Sequence, residues 1–172
     1  MFVVAPYVQK NQQGNGYPQG NNYENSGTIN NNNPAPSNPT SSYGGSGQFN
    51  LAFNQNGNQI SGTISANIDC DVEQDGDKIQ MALTLTITTV SSSLQQVIGG
   101  GKSQTFNFAG TVSGSQISAN AEGTVGSGDS AAAFELRLNG SIDGNALTLT
   151  MTSTSSSQIS INTSETIFLY LN

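Results

Sequence analysis

Five carboxylates lie close together in the stretch DCDVEQDGD. Nearly half of the 11 acids of the chain fall in it: Asp69, Asp71, Glu73, Asp75 and Asp77. Oxygen ligands at alternate positions suit calcium, and the spacing from Asp71 to Gly76 is similar to that of an EF-hand loop. The twelfth position of that loop is Ala82 rather than Glu, and β-prone segments replace the flanking helices. Two interpretations therefore stay open: a calcium site, or the solvated acidic edge of a strand.

Catalytic constellations are hard to assemble from the other residues. The chain has no histidine, which is the usual general base and metal ligand. A serine nucleophile would need Lys10, Lys78 or Lys102 as its partner, and none stands in a recognisable arrangement. The stretch GGGKS resembles the end of a phosphate-binding loop, but β-prone QTFNF follows it where that motif requires a helix. We expect no enzyme, and no cofactor apart from the calcium considered above.

Two glycosylation sequons and one cysteine are the remaining candidate sites of modification or reaction. Asn139 (NGS) and Asn162 (NTS) are acceptor sequons for N-glycosylation, and Asn139 falls on the outward side of its predicted strand. Because Cys70 is the single cysteine, no intrachain disulfide is possible. The alternation of its strand predicts that Cys70 is a buried, small hydrophobic residue.

Composition limits the class of protein. Hydrophobic residues make up 34% of the chain and charged residues 9%, so the surface must consist mainly of Ser, Thr, Asn and Gln. Such a surface suits acidic surroundings or closely packed subunits, and both indicate an extracellular location. The net charge is −7, whereas binding of nucleic acid requires a positively charged patch. No apolar run approaches the roughly 20 residues of a membrane span.

From Gln48 onward the sequence alternates apolar and polar residues between regular turn signals, which predicts an all-β fold. We count about eight antiparallel strands: 48–54, 59–73, 77–91, 103–113, 116–126, 132–143, 146–154 and 165–171. Eight strands in up-and-down order predict a β-sandwich or an up-and-down barrel. Small residues on the inner face indicate bends, close packing or space for a ligand: Gly110, Ala119, Ala121, Gly123 and Gly140.

Three hairpins carry explicit register predictions. A turn at Asp75-Gly76 pairs Val72 with Ile79 and sets Glu73 opposite Lys78. A turn at Gly114-Ser115 pairs residue 112 with 117, 108 with 121, and 106 with 123. A turn at Gly144-Asn145 pairs residue 142 with 147, 140 with 149, and 138 with 151.

The first 47 residues differ from the rest of the chain. Residues 1–9 are apolar and β-prone, residues 10–47 form a linker rich in Asn, Gly, Pro and Ser, and the β-domain spans 48–172. A short strand on a long tether can add to the sheet of a neighbouring copy, and such a head-to-tail contact generates a filament. The donor residues would be Phe2, Val3, Val4, Tyr7 and Val8. A flexible linker without this role is the alternative.

This combination resembles subunits of archaeal extracellular filaments of acidophilic thermophiles, which assemble by donor-strand exchange. The resemblance rests on a charge-poor β-domain with sequons, no cysteine pair and a tethered N-terminal strand. The resemblance implies a homopolymeric appendage used in attachment or biofilm, with the final strand ETIFLYLN as an acceptor. Two alternatives stay open: a lipocalin-like ligand-binding barrel, and a structural protein of a virion or tail fibre.

Overall fold

The computed structural model describes residues 29–55, 58–95, 102–125, 132–154 and 159–172. These residues form ten β-strands and no helix, which confirms the all-β prediction. Accordingly, the described part of the chain contains no helix that could cross a membrane. The strands are β1 (Ile29–Asn31), β2 (Ser41–Gln55), β3 (Asn58–Asp75), β4 (Lys78–Val90), β5 (Ser103–Ser113), β6 (Gln116–Val125), β7 (Ala132–Asp143), β8 (Ala146–Ser153), β9 (Ile159–Thr163) and β10 (Ile167–Leu171).

Eight of these strands close into an antiparallel barrel. Each strand from β2 to β8 pairs with the next along the chain, and β10 pairs with both β8 and β2. The up-and-down order is therefore as predicted, and the fold is a barrel rather than a sandwich. Strand β9 continues the line of β10 along β2, where Ile161 pairs with Leu51. Closure leaves these eight strands with neighbours on both sides, as a barrel requires.

Strict alternation explains why these sequences form barrel strands. In β4 every second residue from Ile79 to Ile87 is buried, while the residues between them are partly exposed. The inward side chains include large aromatic groups, among them Phe49, Phe106 and Phe108, which are completely buried. The ring of Phe106 meets that of Phe134 edge to face, with centroids 5.4 Å apart and planes at 87°. The interior is thus packed with side chains contributed from all around the barrel.

Three two-residue turns stand at one end of the barrel, which we call the turn end. Each begins with a glycine of positive φ: 62° at Gly76, 62° at Gly114 and 57° at Gly144. A side chain is disfavoured in this conformation, and the primed turns of tight hairpins require it. Strands β4, β6 and β8 finish at the opposite end, which we call the loop end.

The predicted register of the first hairpin is wrong by two residues. The turn occupies Gly76-Asp77, so Val72 pairs with Met81 and Glu73 with Gln80, while Lys78 faces Asp75. Glycine takes the first turn position here, as in the other two hairpins, rather than the second. Because the shift is even, every side chain keeps its predicted face.

The other two hairpins match the predictions near their turns. All three pairs predicted for β7 and β8 are confirmed, as is the pairing of Val112 with Ile117. The ladder between β5 and β6 then stops at Ala109 and Asn120. The predicted partnerships of Phe108 with Ala121 and of Phe106 with Gly123 are wrong, because β1 lies beside β6 at that level and Asn31 pairs with Gly123.

The N-terminal boundary of the folded part differs from the predicted layout. Strand β2 begins at Ser41, ahead of the predicted start at Gln48, and β1 lies wholly within the predicted linker. The stretch SSYGGSG has few apolar residues, so it shows no alternation from which a strand could be predicted. In the fold, Tyr43 of this stretch is buried and pairs with Cys70.

The small inner-face residues serve close packing. A Cβ added to Gly123 would collide with the carbonyl oxygen of Asn30 and lie 2.9 Å from Cζ of Phe134. Added Cβ atoms at Gly110 and Gly140 would likewise collide with main-chain oxygens of the adjacent strand. Among the interpretations left open for these glycines, close approach is the one that their surroundings support.

Candidate assembly site

Residues 32–40, which we call the strap, cross the outside of the barrel between β1 and β2. The strap passes over β5, β4 and β3 at the level where Asn120, Ala109, Gln80 and Glu73 stand side by side. It is anchored at one end by the amide of Asn32, which donates to the carbonyl oxygen of Glu122. At the other end, the amide of Thr40 donates to the carbonyl oxygen of Val72. Three prolines in the strap (34, 36 and 39) remove N–H groups that no ladder would satisfy.

Glu73 holds the middle of the strap. Its Oε2 accepts hydrogen bonds from the main-chain amides of Ser37, at 2.7 Å, and Asn38, at 3.1 Å. These bonds favour the ionised carboxylate and lower the pKa of Glu73, the amide of Asn38 contributing most and that of Ser37 next. One member of the acidic stretch thus fastens the N-terminal segment to the barrel.

Strand β1 occupies a fork where β5 and β6 separate. It is antiparallel to β6, pairing Ile29 with Val125 and Asn31 with Gly123. Since β5 and β6 run in opposite directions, β1 must be parallel to β5. A side chain connects these two strands: Nδ2 of Asn31 donates to the carbonyl oxygen of Thr105 at 3.0 Å, and its Oδ1 accepts from the amide of Asn107 at 3.0 Å. The amide of Asn31 supplies one donor and one acceptor, as a peptide group does.

Two further asparagines close the base of the fork. Nδ2 of Asn33 donates to the carbonyl oxygens of Asn107, at 3.2 Å, and Asn120, at 2.8 Å, and so bridges the diverging strands. In return, Nδ2 of Asn107 donates to the carbonyl oxygen of Asn33 at 3.1 Å. Asn107 is 9% exposed although it lies on the outer face, since the start of the strap covers it. The asparagine run of the tail is therefore an element of the fold.

A second polar seam joins β8 to β9. The amide of Ser153 donates to Oδ1 of Asn162 at 2.8 Å, and Oγ of Ser153 accepts from the amide of Ile161 at 2.6 Å. Nδ2 of Asn162 donates to Oγ of Ser160 at 2.7 Å. A glycan at the second sequon would be attached to this nitrogen, which in the fold already donates to Ser160. The side chain of Asn139 is exposed on the outer face of β7, which leaves the first sequon accessible.

Large apolar side chains are exposed on β10. We call Phe168, Tyr170 and Leu171 the aromatic patch; they are 56%, 62% and 45% exposed. Phe168 lies beside Thr148, and Tyr170 lies between Ala146 on β8 and Gly44 on β2. These neighbours are small, so the two rings stand above their surroundings. The last strand is the acceptor that the resemblance implies, and its outer face is the side that the described residues leave exposed.

The aromatic patch and the start of the described chain lie at different ends of the barrel. Ile29 pairs with Val125, the last residue of β6, at the loop end. Tyr170 pairs with Ala146, next to the Gly144 turn, at the turn end. Going around the barrel, β10 is three strands from β6 in one direction and four from β5 in the other. The two features thus occupy opposite sides as well as opposite ends.

The acidic stretch forms a row on the outside of β3 and the following turn. Asp69, Asp71, Asp75 and Asp77 are exposed, and Glu73 is engaged by the strap. Within the described part of the chain, no three Asp, Glu, Cys or His side chains are grouped so that they could hold a metal ion. Alternate residues of one strand project in a row rather than around a centre, and this geometry favours the solvated acidic edge over the calcium site.

The remaining residues singled out in the sequence take unreactive positions or lie elsewhere. Cys70 is fully buried, and this burial, followed by the charge of Asp71, raises the pKa of its thiol to about 12. Ser103, at the end of the GGGKS stretch, begins strand β5 rather than a helix. The five donor residues lie outside the described residues: Phe2, Val3, Val4, Tyr7 and Val8.

Sequence reasoning missed Asn31, Asn33 and Asn107, which build the fork. The run NNNN at 30–33 was the available signal, because asparagine can imitate a peptide group in a position where two strands part. Comparison of the chain with protein-family models, with curated proteins and with solved structures returned no match.

Proposed function

We propose that this protein is a structural subunit of an extracellular filament or other surface assembly, in which the N-terminal segment (residues 1–9) of one copy engages the next. The observation that carries the proposal is the position of β1. The end of the tail is accepted by the barrel as an extra strand, with a main-chain ladder to β6 and the Asn31 bridge to β5. A barrel that accepts a tethered strand from its own chain has the chemistry needed to accept one from a neighbour.

The direction of the tail supports a polymer rather than a closed dimer. Ile29, the first described residue, lies at the loop end, and the aromatic patch is at the turn end. A contact between two different ends of identical subunits is heterologous, and it repeats along a line when no rotation closes it. This geometry favours a filament.

The outer surface supports close packing of copies. The outward residues of β4 and β8 are dominated by threonine, as in KIQMALTLTITTV and ALTLTMTS, and the whole chain has only 15 charged side chains among 172 residues, 11 acidic and 4 basic. Subunits with few charges meet little electrostatic repulsion when they are stacked. Such a surface also depends little on pH, which suits an extracellular location.

The packed interior makes a lipocalin-like function the weaker candidate. A ligand barrel needs an apolar cavity, whereas four phenylalanines are buried inside this one: Phe49, Phe106, Phe108 and Phe134. The virion or tail-fibre alternative uses the same assembly physics and differs in origin alone. The proposal includes no catalytic step, and the chain has no histidine that could act as a general base.

Electron microscopy of two deletion variants tests the proposal. Removal of residues 1–9 should leave a folded monomer that forms no filaments, while full-length protein polymerises. The matched control removes residues 11–19, which are equal in number and lie within the tether, and it should still polymerise. Monodisperse full-length protein at high concentration, by sedimentation, would overturn the proposed function.

A further inference from the structure

We propose that the acceptor surface for residues 2–8 of a neighbouring copy is the outer face of β10 and β2, centred on Phe168 and Tyr170, with the acidic row of β3 as its border. This inference rests on the proposed function and specifies its contact. The surface begins at Thr148 on β8, crosses β10, and ends at Asp69 on β3.

Exposed apolar area on β10 favours this surface. A free strand would dock edge to edge, but β10 is already hydrogen-bonded to β8 and to β2. An incoming segment can therefore pack on its face alone. Phe168 and Tyr170 are both more than half exposed, and aromatic side chains of this kind commonly anchor an interface. The apolar segment FVVAPYV supplies two aromatic and three branched side chains for them.

Register across the strands supplies the second argument. Tyr170 pairs with Gly44, and Gly44 pairs with Asp69. Since glycine has no side chain, the side-chain amide of Asn172 lies over Gly44, with its Oδ1 2.6 Å from the position that a Cβ would take. A polar group thus lies between the aromatic ring and the carboxylate, and an extended segment crossing it would have the rings on one side and the exposed acids Asp69 and Asp71 on the other.

Charge complementarity gives the third argument. Lys10 is the only basic residue among the first 28, and it directly follows the apolar segment after Gln9. A segment whose apolar residues cover Phe168 and Tyr170 would bring Lys10 next to the acidic row. Opposite charges at the border of an interface direct the register of docking and increase the association rate.

The occupant is a second copy rather than the same chain. Twenty residues, 9–28, separate Val8 from Ile29, and a flexible tether of that length has an r.m.s. span of about 25 Å. Its own aromatic patch lies on the far side and at the far end of a barrel whose strands are roughly 30 Å long. A copy stacked end to end places its turn end next to this loop end, within that span.

Disulfide trapping between two variants tests the contact directly. One full-length chain carries Val4→Cys, and the other carries Ala146→Cys, beside Tyr170 on the outer face. Buried Cys70 contributes no thiol to the reaction. After mixing under oxidising conditions, we expect a covalent heterodimer; Ser118→Cys, exposed on β6, is the matched control and should give little.

A second measurement tests the two aromatic rings and the charged border through the critical concentration for filament formation. The double variant Phe168→Ser, Tyr170→Ser should fold normally, by its thermal transition, and raise the critical concentration for filaments about tenfold or more. Lys10→Glu should raise it less, and mixing with Asp69→Lys, Asp71→Lys subunits should restore growth. Filaments with unchanged critical concentration and no trapped heterodimer would overturn this acceptor while leaving the proposed function intact. A disulfide that forms only when Val4→Cys and Ala146→Cys are placed in the same chain would show that the tail folds back on its own barrel and would overturn this contact between copies. No filaments from wild-type protein would overturn both this contact and the proposed function.

Discussion

At the scale of single residues, two side chains in the same hairpin respond oppositely to their surroundings. Cys70 faces inward, where desolvation raises the pKa of its thiol to about 12. Glu73 faces outward, where two main-chain amides lower the pKa of its carboxyl. The environments differ because alternate residues of a strand point to opposite faces.

Cys70 should be inert in the folded protein. With a pKa of about 12, roughly one thiol in ten thousand is ionised at pH 8, and the thiolate is the reactive form. We expect no modification by a maleimide within hours under native conditions and complete modification in urea, followed by mass spectrometry. Rapid labelling of native protein would contradict the buried position, and Ser118→Cys provides the exposed standard.

Glu73 should make stability depend on pH in a defined direction. A carboxyl with a lowered pKa in the folded state stabilises the protein above its unfolded value of 4.5, and this contribution is lost as the pH falls through the folded value. Glu73→Gln should therefore be less stable than wild type at pH 7, by urea unfolding, and the difference should shrink below pH 4.5.

A variant of Ser37 distinguishes the hydroxyl contacts of the Glu73 carboxylate from its main-chain hydrogen bonds. Ser37→Ala removes the hydroxyl contacts at 3.3 and 3.4 Å and keeps both main-chain amides, so it should retain most of the pH dependence. A difference between wild type and Glu73→Gln that stays constant from pH 7 to pH 3 would show that the strap is not held by the ionised carboxylate.

At the scale of elements, two polar seams join neighbouring strands through side-chain hydrogen bonds. At the fork, β1 and β5 are connected by Asn31, and at the other seam β8 and β9 are connected by Ser153 and Asn162. In both cases a side chain satisfies main-chain groups that lack a ladder partner, as buried polar groups require.

Asn31→Ala tests the fork. It leaves the carbonyl oxygen of Thr105 and the amide of Asn107 without this partner, and we expect a loss of about 2 kcal/mol in the free energy of unfolding. Asn32→Ala is the matched control, because Asn32 is exposed and its main-chain amide makes the bond to Glu122. That variant should stay within about 0.5 kcal/mol of wild type. Equal stability of both variants by urea unfolding would mean that the Asn31 bridge contributes nothing.

At the scale of the whole molecule, the barrel has two unlike ends. The turn end carries three glycine turns and the aromatic patch, and Ile29, the first described residue, lies at the loop end. Under the proposed function, such a molecule would offer a donor at one end and an acceptor at the other, so each added copy would reproduce the site for the next one.

A truncated subunit should therefore act as a cap. Protein lacking residues 1–9 keeps the acceptor and lacks the donor, so it should join one filament end and stop growth there. Added in small proportion to full-length protein, it should shorten filaments, as measured by electron microscopy, more steeply as its fraction rises. The Phe168→Ser, Tyr170→Ser form of the truncated protein is the control and should leave filament length unchanged. Equal shortening by both truncated proteins would contradict a heterologous contact through the patch.

The amino-acid sequence by itself determined the eight strands of the barrel, their up-and-down order and the inward position of Cys70, but it did not indicate β1 or β9. These features depend on local alternation and on glycine turns, which operate between residues that are close along the chain. The sequence also indicated the separate N-terminal segment, because its composition differs so clearly from the alternation that follows.

Only the tertiary structure decided that the sheet closes, that the first turn lies at Gly76-Asp77, and that residues 29–33 separate β5 from β6. Closure pairs β10 with β2, and the fork brings Asn31 to Thr105 and Asn107. Such contacts join residues far apart in the chain, and their asparagine side chains carry no periodic signal. The five carboxylates, close together in sequence, are spread along one face of β3 and into the turn that follows it, because strand geometry and not proximity in the chain determines which groups meet.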